Sequence, residues 1–275
     1  MLRKNLVICG LVTALGISLV RNITQHQKIK DLESEVANAS HFINNSSGNG
    51  ISNPESDYVW QFRIPNRQRG QVDNLMFAVP NNYYRANHNK VEDNTGDNSK
   101  GQLYLRGLDY TDPVLVSLAK YLTSPKFLTD QSLEAKAQRI VDIAFCLPRV
   151  EDGETLIIRS PLNTLIYGGD CEDKARLALV LLTSLGIDCE LAVLKFDSPR
   201  KGHVTLGIRG NFKAPGGGEQ FFYDPKEPDK KSYFAEVGGF LGDTGRVIPK
   251  LNPGVIGVMD QKFQDHRHIY TYKLR

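Results

Sequence analysis

Residues 167–186, YGGDCEDKARLALVLLTSLG, place a cysteine between a glycine pair and a strongly apolar helix. The six residues from Leu177 to Leu182 are all apolar, which is typical of a helix buried on every side. Gly186 suits the end of that helix, because glycine readily adopts the left-handed backbone on which many helices terminate. The stretch therefore predicts a buried helix from Cys171 to Leu185, with the cysteine in its first turn.

A thiol in the first turn of a helix lies near the positive end of the helix dipole and near unpaired backbone N–H groups. Helix N-termini and cationic neighbours lower a cysteine pKa from about 8.5 to about 3.5–7.5, which produces a nucleophilic thiolate. Three acids flank Cys171, namely Asp170, Glu172 and Asp173. They oppose ionisation if they lie close to the sulfur, but they also make good helix caps, so the sequence leaves their net effect open.

Two amphipathic helices are predicted before this motif. In TDPVLVSLAKYL, from Thr111, apolar residues recur at helical spacing, with Thr111 or Asp112 as cap. In DQSLEAKAQRIVDIAFCL, from Asp130, the predicted apolar stripe is Leu133, Ala137, Ile140, Val141 and Ala144. Strand-like runs begin at Cys189, His203 and Phe221. Helices followed by hairpin-linked strands predict an α+β fold.

Residues 6–20, LVICGLVTALGISLV, are uncharged and follow Arg3 and Lys4. Fifteen residues suit a signal-peptide core, whereas a spanning helix normally needs about 20. No small-residue cleavage site follows directly, so we favour an uncleaved membrane anchor within residues 1–21 over a cleavable signal. The very short leader favours an extracytoplasmic carboxyl domain. Residues 22–56 are predicted to form a polar helix and a flexible linker, followed by a strand-and-loop part at 57–106.

The composition argues against several functional classes. The chain has 275 residues, 40% hydrophobic content and a formal net charge of +3, without a clustered basic face, so no nucleic-acid partner is expected. A chain of this size does not need disulfides to hold its core. No Cys, His or Asp pair has the close spacing typical of zinc ligands, so neither a metal nor a cofactor is expected.

A cysteine nucleophile needs a base, and His203 is the best-placed histidine because it opens an apolar strand after a turn. Asp224, at the end of FFYD, is expected on an adjacent strand, where it would orient the imidazole. Each of the three residues also has an ordinary structural interpretation: a helix-start cysteine, a polar strand edge and an Asp-Pro turn.

The segments SPLNTLIYGGDCEDKARLALVLLTSLGIDCELAVL, GHVTLGI and FFYDP together resemble the transglutaminase-like superfamily. The resemblance covers about residues 130–237, within a domain expected at 107–275. It implies a papain-like core of helices packed on an antiparallel sheet. By the same resemblance Cys171 is the nucleophile, His203 the base and Asp224 the orienting acid.

The sequence departs from the superfamily pattern after Asp224, where Lys226 replaces a frequent threonine. Some relatives carry the acid slightly later, which makes Glu236 the alternative. Tyr167 corresponds to the aromatic residue found beside the cysteine in cross-linking members. The only oxyanion donor that can be assigned is the backbone N–H of Cys171.

The resemblance implies a membrane-anchored thiol enzyme that acts on peptide or side-chain amides through a cysteine acyl-enzyme. Its partners would be a protein or peptide substrate and, through residues 6–20, a lipid membrane. Hydrolysis by a cysteine peptidase or amidase is favoured over amine transfer, because the sequence shows no amine site. The alternatives are a cross-linking transglutaminase and an inactive binding or assembly domain that keeps the fold.

Overall fold

The computed structural model describes residues 58–66, 69, 71–87, 104–150, 158–195, 202–213, 219–224, 227–238, 255–258 and 268–274. Its helices are α1 (Asn81–Asn87), α2 (Pro113–Leu122), α3 (Leu133–Cys146), α4 (Pro161–Tyr167) and α5 (Cys171–Ser184). Its strands are β1 (Tyr58–Asn66), β2 (Gln71–Val79), β3 (Cys189–Lys195), β4 (His203–Arg209), β5 (Phe221–Asp224), β6 (Glu227–Ala235) and β7 (His268–Tyr272).

Strands β3 to β7 form one antiparallel sheet with the spatial order β5-β6-β4-β3-β7. In its registers Leu194 lies opposite His203, and Leu206 lies opposite Ala235. Strands β1 and β2 form a separate antiparallel ribbon. The predicted α+β class is confirmed.

Helix α5 lies at the centre of the molecule. It packs against α2, α3 and α4 and against β3 and β4 of the sheet. Every residue from Leu177 to Leu182 is 0% exposed, as the uninterrupted apolar run predicts. The predicted C-terminal stop is also confirmed, because Gly186 has a φ of 74°.

The two preceding helices agree with the sequence except at one position. Asp112 caps α2 by accepting hydrogen bonds from the N–H groups of Val114 and Leu115. Ser132 caps α3. Leu133 was predicted to belong to the buried stripe of α3, but it is 55% exposed at the start of the helix.

The amino-terminal ribbon shares the core of the helices. Ile64, Leu75 and Val79 belong to the same buried cluster as the apolar face of α5. A buried ion pair reinforces this contact, with Arg139 Nη2 2.6 Å from Asp73 Oδ2. The described residues therefore belong to one compact unit, residues 49–275.

The predicted anchor at residues 6–20 lies outside the described residues, as do the predicted polar helix and linker. Among the residues that are described, none of the helices combines the length and apolar character required to cross a membrane.

Candidate active site

A tight turn before α5 presents Cys171. Gly168 has a φ of 81°, and a Cβ at this residue would overlap the carbonyl oxygen of Pro148. Gly169 donates its N–H to the same oxygen at 3.1 Å. Glycine is therefore required at residue 168 both by backbone conformation and by space. Asp170 then caps α5 by accepting the N–H of Asp173 at 3.5 Å.

Buried charges hold the first turns of α5. Asp173 is 0% exposed, and its carboxylate accepts the backbone N–H of Arg159 at 2.7 Å and Nη1 of the same residue at 2.6 Å. Lys174 donates from Nζ to the carbonyl oxygen of Leu147 at 2.6 Å, at the end of α3. Burial lowers the pKa of Lys174 to about 8. The helix start is thus fixed to two neighbouring segments.

The first strand residue of β4 and a residue just after β6 form a buried hydrogen-bonded pair. His203 Nε2 lies 2.6 Å from Glu236 Oε2, and each residue is 7% exposed. The other carboxylate oxygen, Oε1, accepts the N–H of Gly238 at 2.8 Å. The carboxylate therefore has a fixed orientation toward the imidazole.

Cys171 lies beside this pair. A Cβ at Gly238 would be 2.9 Å from Cys171 Cβ and 3.0 Å from Glu236 Oε1, so the segment after β6 contacts the cysteine directly. The N–H of Val204, the residue after His203, donates to Cys171 Sγ. Three elements that are distant in sequence therefore bring Cys171, His203 and Glu236 together.

No family model matches the sequence, and no curated protein matches it. A solved structure, that of a "putative cysteine protease" from Cytophaga hutchinsonii, is similar over 80% of this chain and 72% of that chain. The identity is 12% and the TM-score is 0.34. A likeness of that size establishes neither family nor activity.

The structure does not bring Asp224 to His203. The prediction that its strand neighbours β4 is wrong, because β6 lies between β5 and β4. Asp224 pairs with Glu227 at the start of β6, and Glu227 forms an ion pair with Arg209, at the far end of β4 from His203. The nine residues of β6 span roughly 25–30 Å at about 3.3 Å per residue, which separates the two ends.

The local charges of Cys171 keep its thiol protonated. Its Sγ donates to Glu172 Oε2 at 3.1 Å. Burial, followed by the negative charges of Glu172 and Asp170, raises the pKa of the Cys171 thiol well above its usual value. The expectation that the helix start favours the thiolate is therefore not met, because burial and two acids outweigh the helix dipole and the Val204 N–H.

Two tyrosines from neighbouring segments complete the description of this region. Burial, followed by the negative charge of Glu172, raises the pKa of Tyr104 to about 12, so its phenol lies within electrostatic reach of that carboxylate. No motif in the sequence marked Tyr104. Tyr167 is 50% exposed, and its hydroxyl is hydrogen-bonded to that of Tyr84.

One group among the described residues has donor atoms close enough to hold a metal ion. One donor atom each from Asp170, Cys171 and Glu172 lies within 4.8 Å of the others. Two hard carboxylate ligands and one soft sulfur favour different metals, so their chemistry selects no particular ion.

Proposed function

We propose that the chain is a transglutaminase-like thiol enzyme in which Cys171 is the nucleophile, His203 the base and Glu236 the residue that orients the base. One observation supports this proposal above the others: a buried imidazole–carboxylate pair adjoins a cysteine in the first turn of a helix. The resemblance of the GDCEDKA segment to that superfamily supports the same assignment. The choice of Glu236 rests on its hydrogen bond to His203.

The hydrogen bond determines which imidazole nitrogen exchanges protons. When the neutral imidazole donates its Nε2 proton to Glu236, the lone pair resides on Nδ1. Nδ1 then takes the thiol proton as Cys171 Sγ bonds to the substrate carbonyl carbon, and the backbone N–H of Cys171 donates to the developing oxyanion. His203 returns that proton to the leaving amine, which breaks the C–N bond and leaves an acyl-enzyme.

Hydrolysis is the preferred fate of the acyl-enzyme in this proposal. Water attacks the acyl carbon, loses its proton to His203 and releases the acid as the thiol is restored. Transfer to an amine would require a site that holds the amine and excludes water. The proposed enzyme is therefore a peptidase or amidase, held at the membrane by residues 6–20 with its domain outside the cytoplasm.

Labelling with a cysteine-directed acylating probe tests the nucleophile. We expect the purified protein to be labelled, and we expect Cys171→Ala to abolish labelling because, of the three cysteines that the structure describes, Cys171 is the one beside the His203–Glu236 pair. Cys146→Ala and Cys189→Ala are the matched controls and should keep full labelling. Equal labelling of all three variants would remove the basis for the proposal.

Mass spectrometry of peptides incubated with the protein separates hydrolysis from transfer. With a primary amine present, we expect mainly products that carry a new carboxyl group. Predominant amine adducts would instead identify an enzyme that transfers acyl groups to amines, such as a cross-linking transglutaminase.

A non-catalytic binding or assembly domain is the second candidate. The observation that favours it is the hydrogen bond from the Cys171 thiol to Glu172, since a thiol that keeps its proton is a poor nucleophile. Absence of both probe labelling and peptide products, in a protein that remains folded, would support this candidate.

A further inference from the structure

We propose that Glu172 restrains the nucleophile: its carboxylate holds Cys171 as a neutral thiol, and the site becomes reactive when this hydrogen bond is broken. The proposal concerns regulation of the proposed active site and takes its biological meaning from that function. The contact itself belongs to the folded protein, so it can be tested without a substrate.

The geometry of the contact requires a proton on sulfur. Cys171 Sγ and Glu172 Oε2 are 3.1 Å apart, and Glu172 is 7% exposed. An ionised carboxylate only accepts hydrogen bonds, so the shared proton belongs to the thiol. If the thiol ionised without a rearrangement, two negative charges would face each other at this distance with little water between them.

Other charged and polar groups also act on the sulfur. Asp170 contributes a negative charge in the same direction as Glu172, and the Val204 N–H acts in the opposite direction. Lys174 is also close, but its ammonium is held by the carbonyl oxygen of Leu147. Among the described residues, the site also has titratable groups in His203 of β4, Glu236 after β6 and Tyr104, and the charge of Arg149 acts on Lys174.

This arrangement has a consequence for the reaction. The thiol proton must leave for His203, although in the resting protein the thiol donates it to Glu172. The resting protein is therefore less reactive than a cysteine that forms an ion pair with histidine. Replacing Glu172 by its uncharged isostere should increase thiol reactivity even though nothing is added to the site.

Alkylation by iodoacetamide measures this directly, because the thiolate sulfur bonds to the methylene carbon as iodide leaves. The experiment uses the full chain with Cys146→Ala and Cys189→Ala, in a buffer that contains a chelator, and follows modification of Cys171 by mass spectrometry. The pH series runs from about 6 to about 11, because burial raises the pKa of the parent thiol well above its usual value. For Glu172→Gln we expect the pH at the midpoint of the alkylation profile to fall by about one unit or more. The alkylation rate at neutral pH should rise roughly threefold or more. A fall of one pKa unit gives about ten times more thiolate, but a thiolate of lower pKa is intrinsically less nucleophilic, which offsets part of the gain.

Glu134→Gln is the matched control. Glu134 is the second residue of α3, just as Glu172 is the second residue of α5. Its carboxylate accepts a hydrogen bond from the backbone N–H of Asn211 and not from a thiol. Its profile should equal that of the parent. Glu172→Ala is the second test variant and keeps the proposal testable if Glu172→Gln does not fold. A thermal melt of each protein shows whether it is folded.

An unchanged or higher midpoint in folded Glu172→Gln or Glu172→Ala would overturn the proposal. A lower midpoint in a protein that cleaves no peptide would uphold the restraint and count against the proposed function. An unchanged alkylation midpoint in a variant that still cleaves peptides would overturn the restraint by Glu172 and leave the proposed function in place.

Discussion

Replacing Glu236 with glutamine is expected to lower kcat/KM on a peptide substrate by about 10³–10⁴, while Asp224→Asn leaves it unchanged. The amide of glutamine has no charge to stabilise the imidazolium, and it can present N–H to Nε2, which favours the wrong tautomer of His203. The backbone of Asp224 pairs with Glu227 at the start of β6, whereas Glu236 follows the other end of that strand. Steady-state kinetics of the two variants measure the difference.

A merely structural role for Glu236 would reduce activity through unfolding, so each variant is also compared by its thermal melt and its pH profile. A loss of kcat/KM in Glu236→Gln without a fall in Tm would assign the effect to the orientation of His203 and not to unfolding. A large loss in Asp224→Asn, with Glu236→Gln unaffected, would restore the assignment made from the sequence.

Asp173→Ala is expected to lower the free energy of unfolding by about 3–5 kcal/mol, because it leaves the Arg159 guanidinium largely buried without its carboxylate. In a domain of this size such a loss lowers Tm by about 6–20 °C. Denaturant unfolding gives the free energy, and calorimetry gives Tm. Asp188→Asn is the control: the Asp188 side chain is half exposed, and its partners Arg209 and Lys273 both keep their ion pair with Glu227, so a change within about 1 kcal/mol is expected.

Combining Asp173→Ala with Arg159→Met distinguishes a buried ion pair from simple packing. The double variant should recover part of the loss, because no uncompensated charge remains inside the protein. Losses that simply add would indicate that Asp173 contributes through packing and its backbone hydrogen bond alone.

Helices were predictable because their signals are local. The repeat of apolar residues in α2, its Asp112 cap and the Gly186 stop of α5 all lie within a few turns of the residues they organise. Leu133 is the exception, since its exposure depends on whether another segment covers the first turn of α3. The strands β3, β4 and β5 were equally visible as apolar runs.

Strand order was not predictable from those runs. The first half of β6, EPDKK, is polar and its residues face solvent or are only partly buried, so it carries no alternating apolar pattern. Without β6, Asp224 falls on a strand next to β4. With β6 inserted, the neighbouring acid is the one that follows β6, Glu236.

The sequence alone therefore determined the buried helix, the cysteine at its start and the histidine that opens β4, because backbone propensity and apolar spacing act over short distances. The tertiary structure alone decided two matters: which carboxylate meets His203, and in which direction the surroundings shift the pKa of the Cys171 thiol. Both depend on groups far apart in the chain or on burial. Strand order sets the first, and the balance between desolvation, acid charges and the helix dipole sets the second.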